Sequence, residues 1–281
     1  MACARSSHMS LCHVALPSAP RTACIPSTVP RKRYMKSKNI FTVHALEGQD
    51  LQQGMYGPWK VEQSDLVEVW TYRVCISILT ASCVAESLHH SLIAPIRLTV
   101  DDGVVCLAGI AALGIALQQI HIYVTPLKRM LQLFWLLGCL GYGYVSIKST
   151  GDGLTTMDAL LQDGSTTWFV GPLGAALTGV TFKEGLCYGK TEAFVLTLLI
   201  PALFLSHLFG FDGSFDGAVG QALDVSVCLL LSVFALRKYT QDVKDDIGDG
   251  SVFRFQRMTP DEQEQLLQTL DLRRTSMEMR E

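Results

Sequence analysis

From residue 104 to residue 236 the chain is a series of apolar runs, each about as long as a lipid bilayer is thick, and that repetition leaves few folds open. A helix needs ~20 mainly apolar residues to cross ~30 Å of hydrocarbon at ~1.5 Å per residue. Residues 104–124, 130–147, 165–182, 193–211 and 218–236 meet that need. A sixth run, 69–93, has a short uncharged middle between Arg73 and Glu86; it crosses if Arg73 snorkels to the interface. The expectation is an all-α polytopic membrane protein, a bundle of about six transmembrane helices with short soluble ends. Its proportions agree: 49% hydrophobic and 17% charged residues are too greasy for a soluble domain, yet too interrupted for a single core.

The interruptions set the topology. In HIYVTPLKRMLQLFW, residues 121–135, Pro126 disfavours helix at Thr125, and Lys128 with Arg129 avoids hydrocarbon, so TPLKR reads as a tight interfacial connection. Lys128, Arg129, Lys183, Lys190, Arg237, Lys238 and Lys244 then fall on one face. The opposite connections carry Arg97 and Lys148 against Asp101, Asp102, Asp152, Asp158, Asp163, Asp212 and Asp216. Cationic loops stay on the side from which insertion occurs, so both termini are expected on that side. Trp70 and Trp168 stand near span ends as interface anchors, and GPLGAALTG, residues 171–179, is a small-residue helix-packing face.

The ends differ from the middle. Residues 1–46 hold no Asp or Glu but contain Arg5, Arg21, Arg31, Lys32, Arg33, Lys36 and Lys38 among Ser, Thr, Ala and Pro. This is the composition of a plastid transit peptide, and the first acid, Glu47, marks the processing neighbourhood. Residues 47–65 then form a short stromal segment leading to Ser64 as helix cap, 66–238 the six-helix domain, and 239–281 a stromal tail. In that tail Thr259, Pro260 and Glu262 make a capping box before a helix with a Leu266, Leu267 and Leu270 stripe. The expected location is a chloroplast membrane, thylakoid ahead of inner envelope. A net charge of −3 gives no reason to expect nucleic acid. The nine cysteines have no CxxC or metal-finger spacing and read as small hydrophobes.

The stretches HIYVTPLKRMLQLFW, LTGVTFKEGLCYGKTEA and FALRKYTQDVKDDIGDGSVF resemble signature segments of a family of uncharacterised integral membrane proteins shared by cyanobacteria and plastids. The resemblance covers residues 56–255. It implies a multi-pass membrane protein and supplies no catalytic residues.

Three constellations bear on chemistry. Glu86, His89 and His90 share one side of a helix end, and the topology brings His207 to the same face, with Asp224 ~10 Å deeper. Glu86, His89, His90 and His207 are thus candidate metal ligands or a proton relay, although polar residues in a headgroup layer serve equally as helix caps. On the cationic side, His121, Lys128, Arg129, Lys183 and Glu184 are candidates for binding a phosphate, a carboxylate or anionic lipid, against the plainer role of topology-setting charge. Asp224, inside a span, must be protonated, paired or facing a cavity. DDIGDGS, residues 245–251, fails as a calcium loop because Ile247 and Gln256 occupy ligand positions. No hydrolase, nucleotide-binding or zinc-protease motif occurs. No cofactor is predicted, with metal as a minor option, and the balance leans away from an enzyme. The first functional reading is association within the bilayer, in assembly or maintenance of a thylakoid complex. Small-solute or ion transport is the alternative, and a metal-dependent membrane enzyme the remote one.

Overall fold

The computed structural model describes residues 51–90, 101–210 and 217–279. The chain divides into Met1–Lys38 and Asn39–Glu281, and all described residues belong to the second unit. The expected transit peptide lies outside them.

A short antiparallel hairpin, β1 (Gln52–Gly54) and β2 (Gly57–Trp59), leads into α1 (Gln63–His90), α2 (Asp102–Gln119) and α3 (Thr125–Gly151). A short α4 (Thr156–Gln162) and a 3-10 turn (Gly164–Thr166) precede α5 (Thr167–Tyr188), α6 (Thr191–Phe209) and α7 (Ala218–Lys238). Three helices close the described chain: α8 (Val243–Ile247), α9 (Gly250–Gln256) and α10 (Pro260–Glu278). By length and composition, α1, α2, α3, α6 and α7 can cross a membrane. The expected fourth span, α5, is carried by packing instead. It runs antiparallel beside α6 for its whole length: Gly164, just before α5, abuts His207 at the end of α6, and Glu184 meets Lys190 at the start of α6. Its hydropathy is diluted by Gly174, Thr178, Gly179 and Thr181, which face neighbouring helices, so fewer Leu are needed against lipid.

Six helices close into a ring in which α1 touches α2 and α7, α3 joins α2 to α5, and α6 joins α5 to α7. Small residues set the spacing. A methyl group on Gly141 would strike the Phe169 carbonyl, one on Gly138 would strike Leu173, and Gly174 takes the Phe204 ring. Outward-facing Leu133, Leu140, Leu198, Leu229 and Leu236 are exposed, as lipid-facing side chains are.

The hairpin meets α9 at one end of the ring. Asp249, at the start of α9, accepts the Met55 N–H at 2.6 Å and the Ser251 N–H at 2.9 Å, while Tyr56 stacks on Phe255 with centroids 4.0 Å apart. Burial alone would raise the Asp249 carboxyl, but these hydrogen bonds hold it below the ordinary range. Tyr123, from the α2–α3 connection, accepts the Asp249 N–H at 2.5 Å.

Three local expectations are corrected. TPLKR is not the connection: α3 starts at Thr125, because proline in a first turn forfeits no helical hydrogen bond, and residues 120–124 make the turn. Ser64 does not cap α1, which already includes Gln63; instead Asp65 accepts the Glu62 N–H at 2.9 Å. Arg73 does not snorkel. It is 2% exposed and ion-paired inside the protein.

Candidate functional site

At the end where the hairpin meets α9, the structure buries an ionic cluster. Glu184 near the end of α5 lies 2.6 Å from Lys190, 2.7 Å from Lys238 and 3.2 Å from Lys183. Asp246 in α8 lies 2.6 Å from Arg73 and 2.5 Å from Lys238. All six side chains are buried. Four cations face two carboxylates, so part of the positive charge must be met otherwise. Carbonyls and rings meet it: Arg73 donates to the Gln241 and Asp242 carbonyls, and Lys183 to that of Asp246. Lys183 and Lys190 lie over Tyr188, and Lys238 over Tyr72 and Phe234. Burial holds the Lys190 amine below its usual range.

The proposed anion-binding residues therefore separate. Lys183 and Glu184 are sealed into this cluster, beyond reach of a solvent anion. Lys128 donates to the Gln118 carbonyl at 2.7 Å and so caps α2 from the first turn of α3, and Arg129 is exposed beside it. His121 is held 3.2 Å from Glu68. Burial, then Lys183 and Lys128, lower its imidazole to about 4 against the opposing Asp246, so near neutral pH it is uncharged and not an ion-pair partner.

This predicts a pH dependence. In the unfolded chain His121 takes up a proton near its ordinary pKa of 6.5, whereas in the fold it does so only at about 4. Between those values the unfolded state binds more protons, so stability falls as pH drops through that window, by up to ~1.4 kcal/mol per unit from this group. A His121→Gln variant should lose less thermal stability than wild type between pH 6.5 and 4.5 in detergent; parallel curves would refute the assignment. Glu68, Lys128, Lys183, Asp246 and Arg257 surround the ring, so the difference between the two proteins is the quantity to follow.

At the other end the ring encloses a cavity of about 340 Å³. Leu79, Leu113, Leu177, Ile200, Phe204 and Leu231 make its depth apolar. Its polar side gathers Glu86 and His90 from α1, His207 from α6 and Asp224 from α7. Asp224 accepts a hydrogen bond from Ser87, with the Cys228 thiol 3.9 Å away, so this carboxyl both finds a partner and faces a cavity. His207 is held by its Nε2 2.7 Å from the Leu160 carbonyl, which ties α6 to α4.

The expected metal candidates assemble in part. His89 Nδ1 lies 2.7 Å from Asp102, and His90 Nε2 lies 3.5 Å from Asp102 and 3.8 Å from Glu86. His207 serves the α4 contact instead. Asp102 was visible in the sequence only as a loop charge; its place at the head of α2, in register with the end of α1, follows from antiparallel pairing of the two helices. Arg73 and Asp246 were equally unforeseen as partners.

The family model described as uncharacterized integral membrane protein (DUF2301) matches residues 115–255, half of the chain. No curated protein and no solved structure matches it.

Proposed function

We propose, from the premise that the chain belongs to the DUF2301 family of uncharacterized integral membrane proteins, that it holds a small amphiphilic molecule inside the bilayer, as a carrier or transporter. The cavity carries this reading. It has the size of a small-molecule site, and an apolar depth with a few convergent polar groups is how such sites fix orientation. Two carboxylates, Glu86 and Asp224, on the polar side favour a head group that is cationic or donates hydrogen bonds.

The acid-free, basic leader supports a plastid membrane, with the thylakoid preferred, and the excess of cations at the end where the hairpin meets α9 supports a stromal position for both termini. A second reading, association within a membrane complex, is favoured by α10, whose Leu267 and Leu272 are exposed outside the bundle core.

One experiment separates these readings. The tagged chain is purified from solubilised chloroplast membranes, then examined by mass spectrometry for its first residue, its protein companions and solvent-extractable small molecules. The expected result is a chain beginning near Glu47 with about one amphiphile per protein, lost when Leu203→Trp fills the cavity or Asp224→Asn removes the charge. Stoichiometric protein partners with no extractable molecule would favour association instead. Absence from chloroplast membranes would refute the location.

A further inference from the structure

We propose that His89, His90 and Asp102 hold one divalent transition-metal ion at the edge of the cavity, with Glu86 beside its open coordination position. This inference does not depend on what the cavity holds.

The first support is convergence. The ligand atoms of His89, His90 and Asp102 all lie within 4.8 Å of one another. Ligands about 2.0–2.1 Å from a tetrahedral metal stand ~3.4 Å apart. The separation of His90 from Asp102, 3.5 Å, matches that edge. The 2.7 Å between His89 and Asp102 is a direct contact that opens by ~0.7 Å to admit an ion. His89 and His90 end α1 with near-parallel rings, centroids 4.8 Å apart, so one imidazole turns for both in-plane lone pairs to reach the ion; Asp102 begins α2, so the ion would clip the two helices together.

The second support is independent. The Glu86 side chain is 8% exposed, and neither of its oxygens meets a nitrogen or oxygen donor; only the weakly donating Cys106 thiol faces it. A carboxylate buried without a partner is costly and calls for an explanation. It stands 3.8 Å from His90 and lines the cavity with it. With three protein ligands a metal keeps a position for water or ligand, and a water there would donate to Glu86. Two carboxylates and the carbonyl end of α1 also make the spot attractive to a cation. Two imidazoles with carboxylate oxygen suit zinc, manganese or iron(II) better than calcium or magnesium.

The test uses the full-length chain purified in detergent, stripped with chelator and titrated with Zn²⁺ by calorimetry, and with Co²⁺ by visible absorption. Wild type should bind one equivalent that at least tenfold weaker sites in His90→Gln and Asp102→Asn do not reproduce, and zinc should raise its thermal midpoint. Glu192→Gln, in the first turn of α6 at the far end of the ring, should bind as wild type does. Glu86→Gln should keep the metal but change the Co²⁺ spectrum. The difference between wild type and variants removes any contribution of thiols elsewhere. If Asp102→Asn does not fold, His89→Gln replaces it. No saturable equivalent in wild type, or equal affinity in His90→Gln and its companions, would overturn the site and leave His89 and Asp102 as a plain ion pair.

Discussion

Replacing Asp246 by Asn should cost about 3–5 kcal/mol of stability, the range for breaking a buried ion pair from one side. Asp246 is the counterion of both Arg73 and Lys238, and none of the three is more than 3% exposed. Gln241 also donates to it at 2.6 Å. The loss would appear as a lowered thermal midpoint in detergent and as earlier unfolding on addition of a denaturing surfactant. Glu192→Gln is the comparison. Its partner Arg237 is half exposed, so that change should cost under ~1 kcal/mol. Removing both sides together, Arg73→Met with Asp246→Leu, should restore part of the loss, because the guanidinium is no longer stranded and Lys238 keeps Glu184. An Asp246→Asn protein as stable as wild type would show that the cluster contributes little to holding the termini on the ring.

The second large effect is steric. Gly141→Val should destabilise the bundle by about 3 kcal/mol, the upper end for overpacking, because its side chain must enter space held by the Phe169 backbone rather than by a side chain that can swing away. Gly143→Val, two residues on, meets nothing within 4 Å and should cost little beyond helix propensity. The two proteins compared by thermal unfolding isolate the α3–α5 contact from the intrinsic cost of losing a glycine. Equal midpoints would mean that those helices separate without penalty.

The spans were legible because hydrocarbon thickness imposes a length that any apolar run must match, and α2, α3, α6 and α7 follow it within a few residues. The α10 start was legible for a local reason: Glu262 accepts the Thr259 N–H at 2.9 Å, as the capping box requires. Arg73 was misread because a charge beside an apolar run suggests water as its partner, while its real partner lies 173 residues later in the chain. The mismatch of residues 245–251 with a calcium loop gave no hint that Asp246 turns inward or that Asp249 accepts the hairpin's Met55 N–H. At the candidate metal site the helical spacing of Glu86 and His90 was readable, but the third ligand, Asp102, needed the pairing of α1 with α2. His207 was placed at the correct end of the bundle, where the nearby Leu160 carbonyl claims it.

The bond from Arg73 to Asp246 also bears on how the molecule is made. A chain that enters the membrane amino end first delivers the first hydrophobic helix well before the short helix that neutralises its guanidinium, so while the six helices α2 to α7 follow, that cation has no carboxylate from α8 to meet. The bundle stays open at that edge until α8 is threaded back, and a chain truncated ahead of it would carry a permanent lesion for proteases to find. Completion of the tail thus acts as the closing step of biogenesis.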